Sequence, residues 1–207
     1  GGLKVLARLA PGEKDLTLTS GDATAGLKLF YKPLTDPYQV AIVYLTGSEG
    51  ETRYPSPWPD APQDYIGRLR TAAELMQTFT GESMNAQGFG RLTFNLERDA
   101  QGQVVVHTIR LPETAAELRA RDPGEQWGRS NEFLMKQFDM DRVKVLAING
   151  FVVYDAEKKQ MMGHTALGGG SLGVFSANSL YAWPVSLQDV NRAFADSTPP
   201  DRSEEHT

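Results

Sequence analysis

The sequence predicts an α/β (α+β) fold, a mixed sheet with helices packed on it, preceded by a small antiparallel β segment. Three observations carry this. Patterns of strand, helix, strands, helices and strand succeed one another between residues 38 and 148, the order in which a sheet is covered by its own connections. Two of the strand patterns, VAIV at 40–43 and VKVLAI at 143–148, are near-continuously apolar, as strands buried on both faces must be. Between them lies a long stretch with apolar residues at three- and four-residue steps, the period of an amphipathic helix.

The first 37 residues alternate loosely between apolar and polar in LKVLARLA (3–10), DLTLTS (15–20) and AGLKLFYKPL (25–34), with Pro-Gly and Ser-Gly turns between them. Three short antiparallel strands are expected. They bury too little to stand alone, so residues 1–37 form an accessory segment, part of a sandwich or packed on the domain C-terminal to it. YQVAIVYLTG (38–47) starts the central sheet, and the proline-rich YPSPWPDAP (54–62) is a loop because it can continue neither strand nor helix. Over 62–87, Ile66, Leu69, Ala73, Met76 and Phe79 mark the apolar face of a long helix, with Gly88 and Gly90 as its stop. RLTFNLER (91–98) and QVVVHTIRL (103–111) read as strands joined by a hairpin-sized connection at 99–102. Helices are expected at 114–121 and 125–138, then the strand at 143–148 and a last helix at 185–196. GHTALGGGSLGVFSANSLYAWP (163–184) falls at the far edge of the sheet, and no internal repeat is present.

Composition narrows the function. The 207 residues carry a net charge of -5 from interspersed charges, so no basic surface invites nucleic acid. No apolar run approaches the roughly 20 residues of a spanning helix, so no membrane partner is expected. With 0 cysteines there is neither a disulfide framework nor a Cys-based metal site, which together with the lack of a visible signal peptide leans toward the cytoplasm. The chain begins Gly1-Gly2, leaving room for a leader upstream.

The candidate chemistry centres on GHTALGGG (163–170). It lacks the lysine of a phosphate loop and runs into a strand rather than a helix, and no dinucleotide Gly-x-Gly-x-x-Gly is present. His164 is open to three readings: ligand, substrate contact, or turn residue bonded to backbone. His107 alternates with apolar neighbours in a strand and reads as solvent-facing or hydrogen-bonded. Ser171, Ser176 and Ser179 lie in no Gly-x-Ser-x-Gly, and a serine without a positioned base is inert. Glu74 and Glu82 fall on the polar flank of the long helix, a solvated face. Trp58, Trp127 and Trp183 read as core or loop anchors. The residues contain no complete catalytic set.

Taken together, AAELMQTFTGESMNAQGFGRLTFNLE (72–97), VHTIR (106–110), GHTALGGG (163–170) and LQDVNRAFAD (187–196) resemble a family of zinc metallopeptidases with a zincin fold. The resemblance extends over nearly all of the chain. It implies that residues 38–201 are the N-terminal part of a zincin-like domain, incomplete at its C-terminus. In such enzymes a His-Glu-x-x-His helix holds zinc and activates the water that hydrolyses a peptide bond. That helix is absent here, so no catalytic residue and no metal ligand is assigned, and this chain alone is expected to bind no zinc and be inactive. Zinc is expected in the intact protein, with a peptide or protein as substrate. The stretch 163–170 would be the sheet edge to which an extended substrate adds as a strand, with His164, Gly168, Gly169 and Gly170 the substrate-binding residues. RSEEHT (202–207) is what a common sequencing-library adapter encodes, so it is expected to be non-native, and Glu204, Glu205 and His206 receive no metal reading. A rival expectation is a non-catalytic binding module, zincin-like or β-sandwich, for protein or carbohydrate partners. Its signature would be a reading frame without the histidine-glutamate motif. Without the last helix a sheet face is exposed, so the isolated chain is also expected to be marginally stable.

Overall fold

The computed structural model describes residues 12–31, 38–58 and 62–196. The expected strand at 3–10 and the tail at 202–207 lie outside them. In chain order the elements are β1 (Gly12–Ser20), β2 (Ala23–Tyr31), β3 (Gln39–Thr46), α1 (Tyr65–Ala86), β4 (Asn95–Leu96), β5 (Val106–Arg110), α2 (Ala115–Arg119), α3 (Pro123–Leu134), β6 (Val143–Asn149), β7 (Val153–Asp155), β8 (Gln160–Met162), β9 (Ala166–Gly169), β10 (Leu172–Ser176) and α4 (Leu187–Asp196). A 3-10 helix at Ala177–Ala182 comes after β10.

The main sheet is built around β3. On one side it pairs in parallel with β6, on the other with β5 and, at its start, with the two-residue β4. Outward from β6, β10 is parallel to β6 and β9 is antiparallel to β10, which makes β9 an edge strand. The expected mixed α/β sheet is thus found, parallel except at that edge. Strands β1 and β2 form a separate antiparallel hairpin, Gly12 opposite Tyr31 and Ser20 opposite Ala23. Its two-residue turn places Gly21 at φ 58, a conformation glycine adopts without a Cβ penalty.

The apolar run in β3 feeds two cores. Ile42 and Tyr44 pack with Leu69 and Ala73 of α1, whereas Val43 and Leu45 pack with Leu118 of α2 and Leu134 of α3. Alternation across the pleat puts successive side chains on opposite faces, so a strand covered twice needs apolar residues throughout. Each fully buried side chain of this size contributes about 1.5–3 kcal/mol. The helices are started by side chains: Asp64 accepts the Gly67 N–H at 2.8 Å, and Thr114 and Glu117 form a capping box on α2. Those Thr114 hydrogen bonds hold the Glu117 carboxyl below its ordinary range.

Tyr44 is completely buried, stacks on Tyr65 with centroids 4.4 Å apart and donates its hydroxyl to the Thr52 carbonyl at 3.2 Å. Burial first, and then the neighbouring Tyr54, Tyr65 and Glu51, raise its pKa well above the ordinary 10.0. A phenol with a raised folded-state value contributes stability that is complete below its unfolded pKa and is lost as pH rises toward the folded one. Alkaline titration of stability is therefore expected to fall more steeply above pH ~10 in the natural chain than in Tyr44→Phe, by up to about 1.4 kcal/mol per pH unit. Parallel curves for the two would contradict it.

Three expectations are corrected. The apolar face expected along α1 is only half right, since Leu69 and Ala73 are buried but Met76 and Phe79 are exposed, Phe79 at 75%. The helix turns polar groups inward because irregular backbone lies against it: Gln77 donates to the Phe94 carbonyl at 2.7 Å, and Thr93 donates to the Gln77 carbonyl at 2.9 Å. Glu74 accordingly belongs to no solvated face. It is buried and meets Arg98 at 3.3 Å, while Glu82 is exposed beside Arg91. The segments at 91–98 and 103–111 touch as a hairpin only at the Arg98–Val104 bridge, closed by a turn from Asp99 to Gln103. Beyond it they part, and β4 and β5 each pair with β3 instead. The structure also contains a hairpin, β7–β8, that the sequence pattern does not mark, because its strands are short and its turn 156–159 is polar, with Lys159 at φ 52.

Candidate functional site

The stretch 163–170 supplies an edge strand. Gly163 is buried at φ 77 against Arg119, where a Cβ would lie 2.8 Å from the Arg119 Cγ. His164 is exposed, and Thr165 is completely buried. All four residues of β9 are exposed. Gly170, at φ 59, and Ser171 make the two-residue turn into β10. Ser171 accepts from Lys144 Nζ at 2.8 Å and donates to the Met140 carbonyl at 2.8 Å, so its hydroxyl is committed to holding that turn.

Which peptide groups β9 offers is set by Thr165. Its N–H donates to the Ser176 hydroxyl at 2.6 Å and its carbonyl accepts from the same hydroxyl at 2.9 Å, so both groups turn toward β10. The N–H and C=O of one strand residue point the same way and alternate along an antiparallel ladder. Leu167 and Gly169 therefore also face β10, consistent with Gly169 and Leu172 closing the two-residue turn. Ala166 and Gly168 present their N–H and C=O to the outer edge, which no strand pairs among the described residues.

An edge strand is normally protected by charge, proline or a bulge. β9, Ala-Leu-Gly-Gly, carries none of these residues. Its flanks are apolar: Leu167 is 40% exposed, Phe175 on β10 is 48% exposed, and the Trp127 ring lies 3.6 Å from where a Gly169 Cβ would be. The Trp127 Nε1 is buried without a hydrogen-bond partner. Gly170 has open space around it, and a Cβ on Gly168 would meet the β10 backbone only at an ordinary contact distance of 3.9 Å.

The structure gathers His164, Gly168, Gly169 and Gly170 on this one edge, and leaves the other candidates elsewhere. His107 Nε2 lies 2.6 Å from Glu97 Oε2 and the ring meets Phe138 edge-on, a hydrogen-bonded strand residue. Trp58 stands 59% exposed against Tyr181, and the Trp183 carbonyl accepts from buried Arg68. Among the described residues no group of three or more His, Asp or Glu side chains could hold a metal. The residues the sequence does not single out are Gln126 and Thr165, together with the bonded role of Ser176. Each is an ordinary polar residue, and nothing in the local pattern marks it as buried.

Comparison with known proteins adds a family. A family model described as "Putative peptidase family" matches residues 1–206. A protein of Schizosaccharomyces pombe named as a putative zinc metalloproteinase is 27% identical over 94% of this chain and 35% of its own length. Its counterpart of the same description in Saccharomyces cerevisiae is 27% identical over 97% of the chain and 34% of its own length. The chain thus spans about a third of the length of these curated relatives. Among solved structures, OgpA from Akkermansia muciniphila aligns with a TM-score of 0.47 at 22% identity, covering 69% of this chain and 39% of that one. A catalytically inactive OgpA in complex with an O-glycopeptide substrate aligns likewise, with a TM-score of 0.47 at 23% identity over the same shares.

Proposed function

Because the chain belongs to the putative peptidase family, we propose that it forms the substrate-edge portion of a zinc-dependent, zincin-like metallopeptidase, with β9 receiving an extended peptide as an added antiparallel strand. The observation that carries this is the exposed, uncharged edge whose Ala166 and Gly168 peptide groups face outward. An incoming strand pairs with such groups through main-chain hydrogen bonds, which recognise a backbone whatever its side chains. Substrate side chains on the α3 side would meet Leu167 and, over the bare Gly169, the edge of Trp127, favouring apolar residues there. His164, exposed at the entrance to the strand, is placed for a polar contact to the substrate.

The residues described do not fit a zinc site, so the metal would be held by residues outside them, as the names of the relatives imply for the family. Zinc bound there would supply the Lewis acidity for peptide hydrolysis. The part taken by this chain is to bind and align the scissile backbone, which converts binding energy into orientation. The same exposed edge also suits a second reading, a non-catalytic module that binds peptide there.

The test uses the protein encoded by the complete gene. About one zinc per chain together with hydrolysis of an unstructured peptide is the expected result. A metal-free protein that binds such a peptide without cleaving it would select the binding module, and one that neither binds nor cleaves it would end both readings.

A further inference from the structure

We propose that Gln126, Thr165 and Ser176 act as a register lock, a buried polar clasp that determines which peptide groups of β9 face the outer edge. This rests on the reading of β9 as the substrate edge for its functional meaning, although the lock itself is a property of the free protein. The three side chains come from α3, the residue before β9, and the end of β10, and they are 1%, 0% and 8% exposed. Their hydrogen bonds run in one consistent direction. The Thr165 hydroxyl donates to Gln126 Oε1, and Gln126 Nε2 donates to the Arg121 carbonyl at 3.0 Å. The Ser176 hydroxyl donates to the Thr165 carbonyl and accepts its N–H, occupying the place that the next pair of backbone groups would take in the ladder.

A clasp is needed because β9 specifies its own register poorly. Register is enforced where large side chains must stay on a buried face, and it is weak in glycine-rich strands. Leu167 is the one large side chain of β9, and it is half-exposed. Sliding β9 by one residue would turn Ala166 and Gly168 inward and Leu167 and Gly169 outward, exchanging the groups offered to a peptide. The same slide would withdraw Thr165 and leave the Gln126 Oε1 and the Ser176 hydroxyl, both buried, without the partners they have here. Desolvated polar groups tolerate no such loss, so a buried polar contact selects one register more sharply than apolar packing would. The three are positioning residues, since they set the strand without touching what binds to it.

Residue-resolved amide exchange of the complete-gene protein, with no peptide present, tests the lock. In the natural protein Leu167 and Gly169 should exchange slowly and Ala166 and Gly168 fast. In the double variant Thr165→Val, Ser176→Ala the difference between the two classes should shrink by about tenfold or more. The single variant Thr165→Ser, which keeps both hydroxyls, should retain the natural difference. Slow exchange at Ala41, Val43 and Leu45 of β3 reports that the sheet is still folded, and Gln126→Leu alone serves if the double variant loses it. An alternation unchanged in the variants would overturn the lock. If the alternation collapses and an extended peptide still binds with unchanged affinity, the lock stands and the substrate-edge reading fails.

Discussion

Replacing Ala166 by proline is expected to cut kcat/KM for an extended peptide about 10- to 100-fold in the complete-gene protein, while its thermal stability changes little. The N–H of Ala166 points away from β10, so a pyrrolidine ring there removes a donor that no fold hydrogen bond uses. The preceding Thr165 is already held beside the strand by Ser176, and a residue before proline prefers extended backbone, as a strand entrance requires. A peptide arriving at this edge loses one main-chain hydrogen bond and meets the ring, which together are worth about 1.4–2.8 kcal/mol. The control is Leu167→Pro, which removes an N–H that faces β10 and should unfold the β9–β10 hairpin. Equal effects of the two substitutions on stability would show that the outward and inward positions are wrongly assigned.

The largest effect on stability is expected from Gly150→Ala, at the end of β6. A Cβ built on Gly150 would lie 2.4 Å from two carbons of the Tyr44 ring and 2.5 Å from its hydroxyl oxygen. Tyr44 cannot step aside cheaply, because it is fully buried, stacked on Tyr65 and bonded to the Thr52 carbonyl. The Gly150 N–H is itself bonded to the Leu45 carbonyl at 2.8 Å, so the backbone is tied as well. Overpacking of this kind costs about 3 kcal/mol, near the upper end for a single added methyl. That corresponds to a Tm lower by about 10 °C for a domain of this size. A Tm within about 2 °C of the natural protein would mean that the ring and strand relax freely.

How much of this is legible in the sequence depends on where each element sits. β3 and β6 are covered on both faces, so their apolar runs mark them, and α1 is evident from its period. Its buried face is misjudged because Gln77 and Glu74 serve the backbone and side chains of residues 93–98 rather than an apolar core. β4 and β5 look like a hairpin because a turn does join them, and only the tertiary structure shows that β3 offers both a better partner. At the candidate site, His164 and the glycines stand out by composition alone. The clasp does not, because Gln126 and Thr165 are 39 residues apart and Thr165 and Ser176 are 11 apart, separations at which no local pattern links polar residues.

The central claim is that β9 takes a peptide strand through Ala166 and Gly168. The most direct measurement is residue-resolved amide exchange of the complete-gene protein with and without a saturating extended peptide. The account predicts that the peptide slows exchange at Ala166 and Gly168 and leaves His107 and Ile109 of β5 unaffected. Protection that appears at β5 instead, or nowhere on β9, would contradict it.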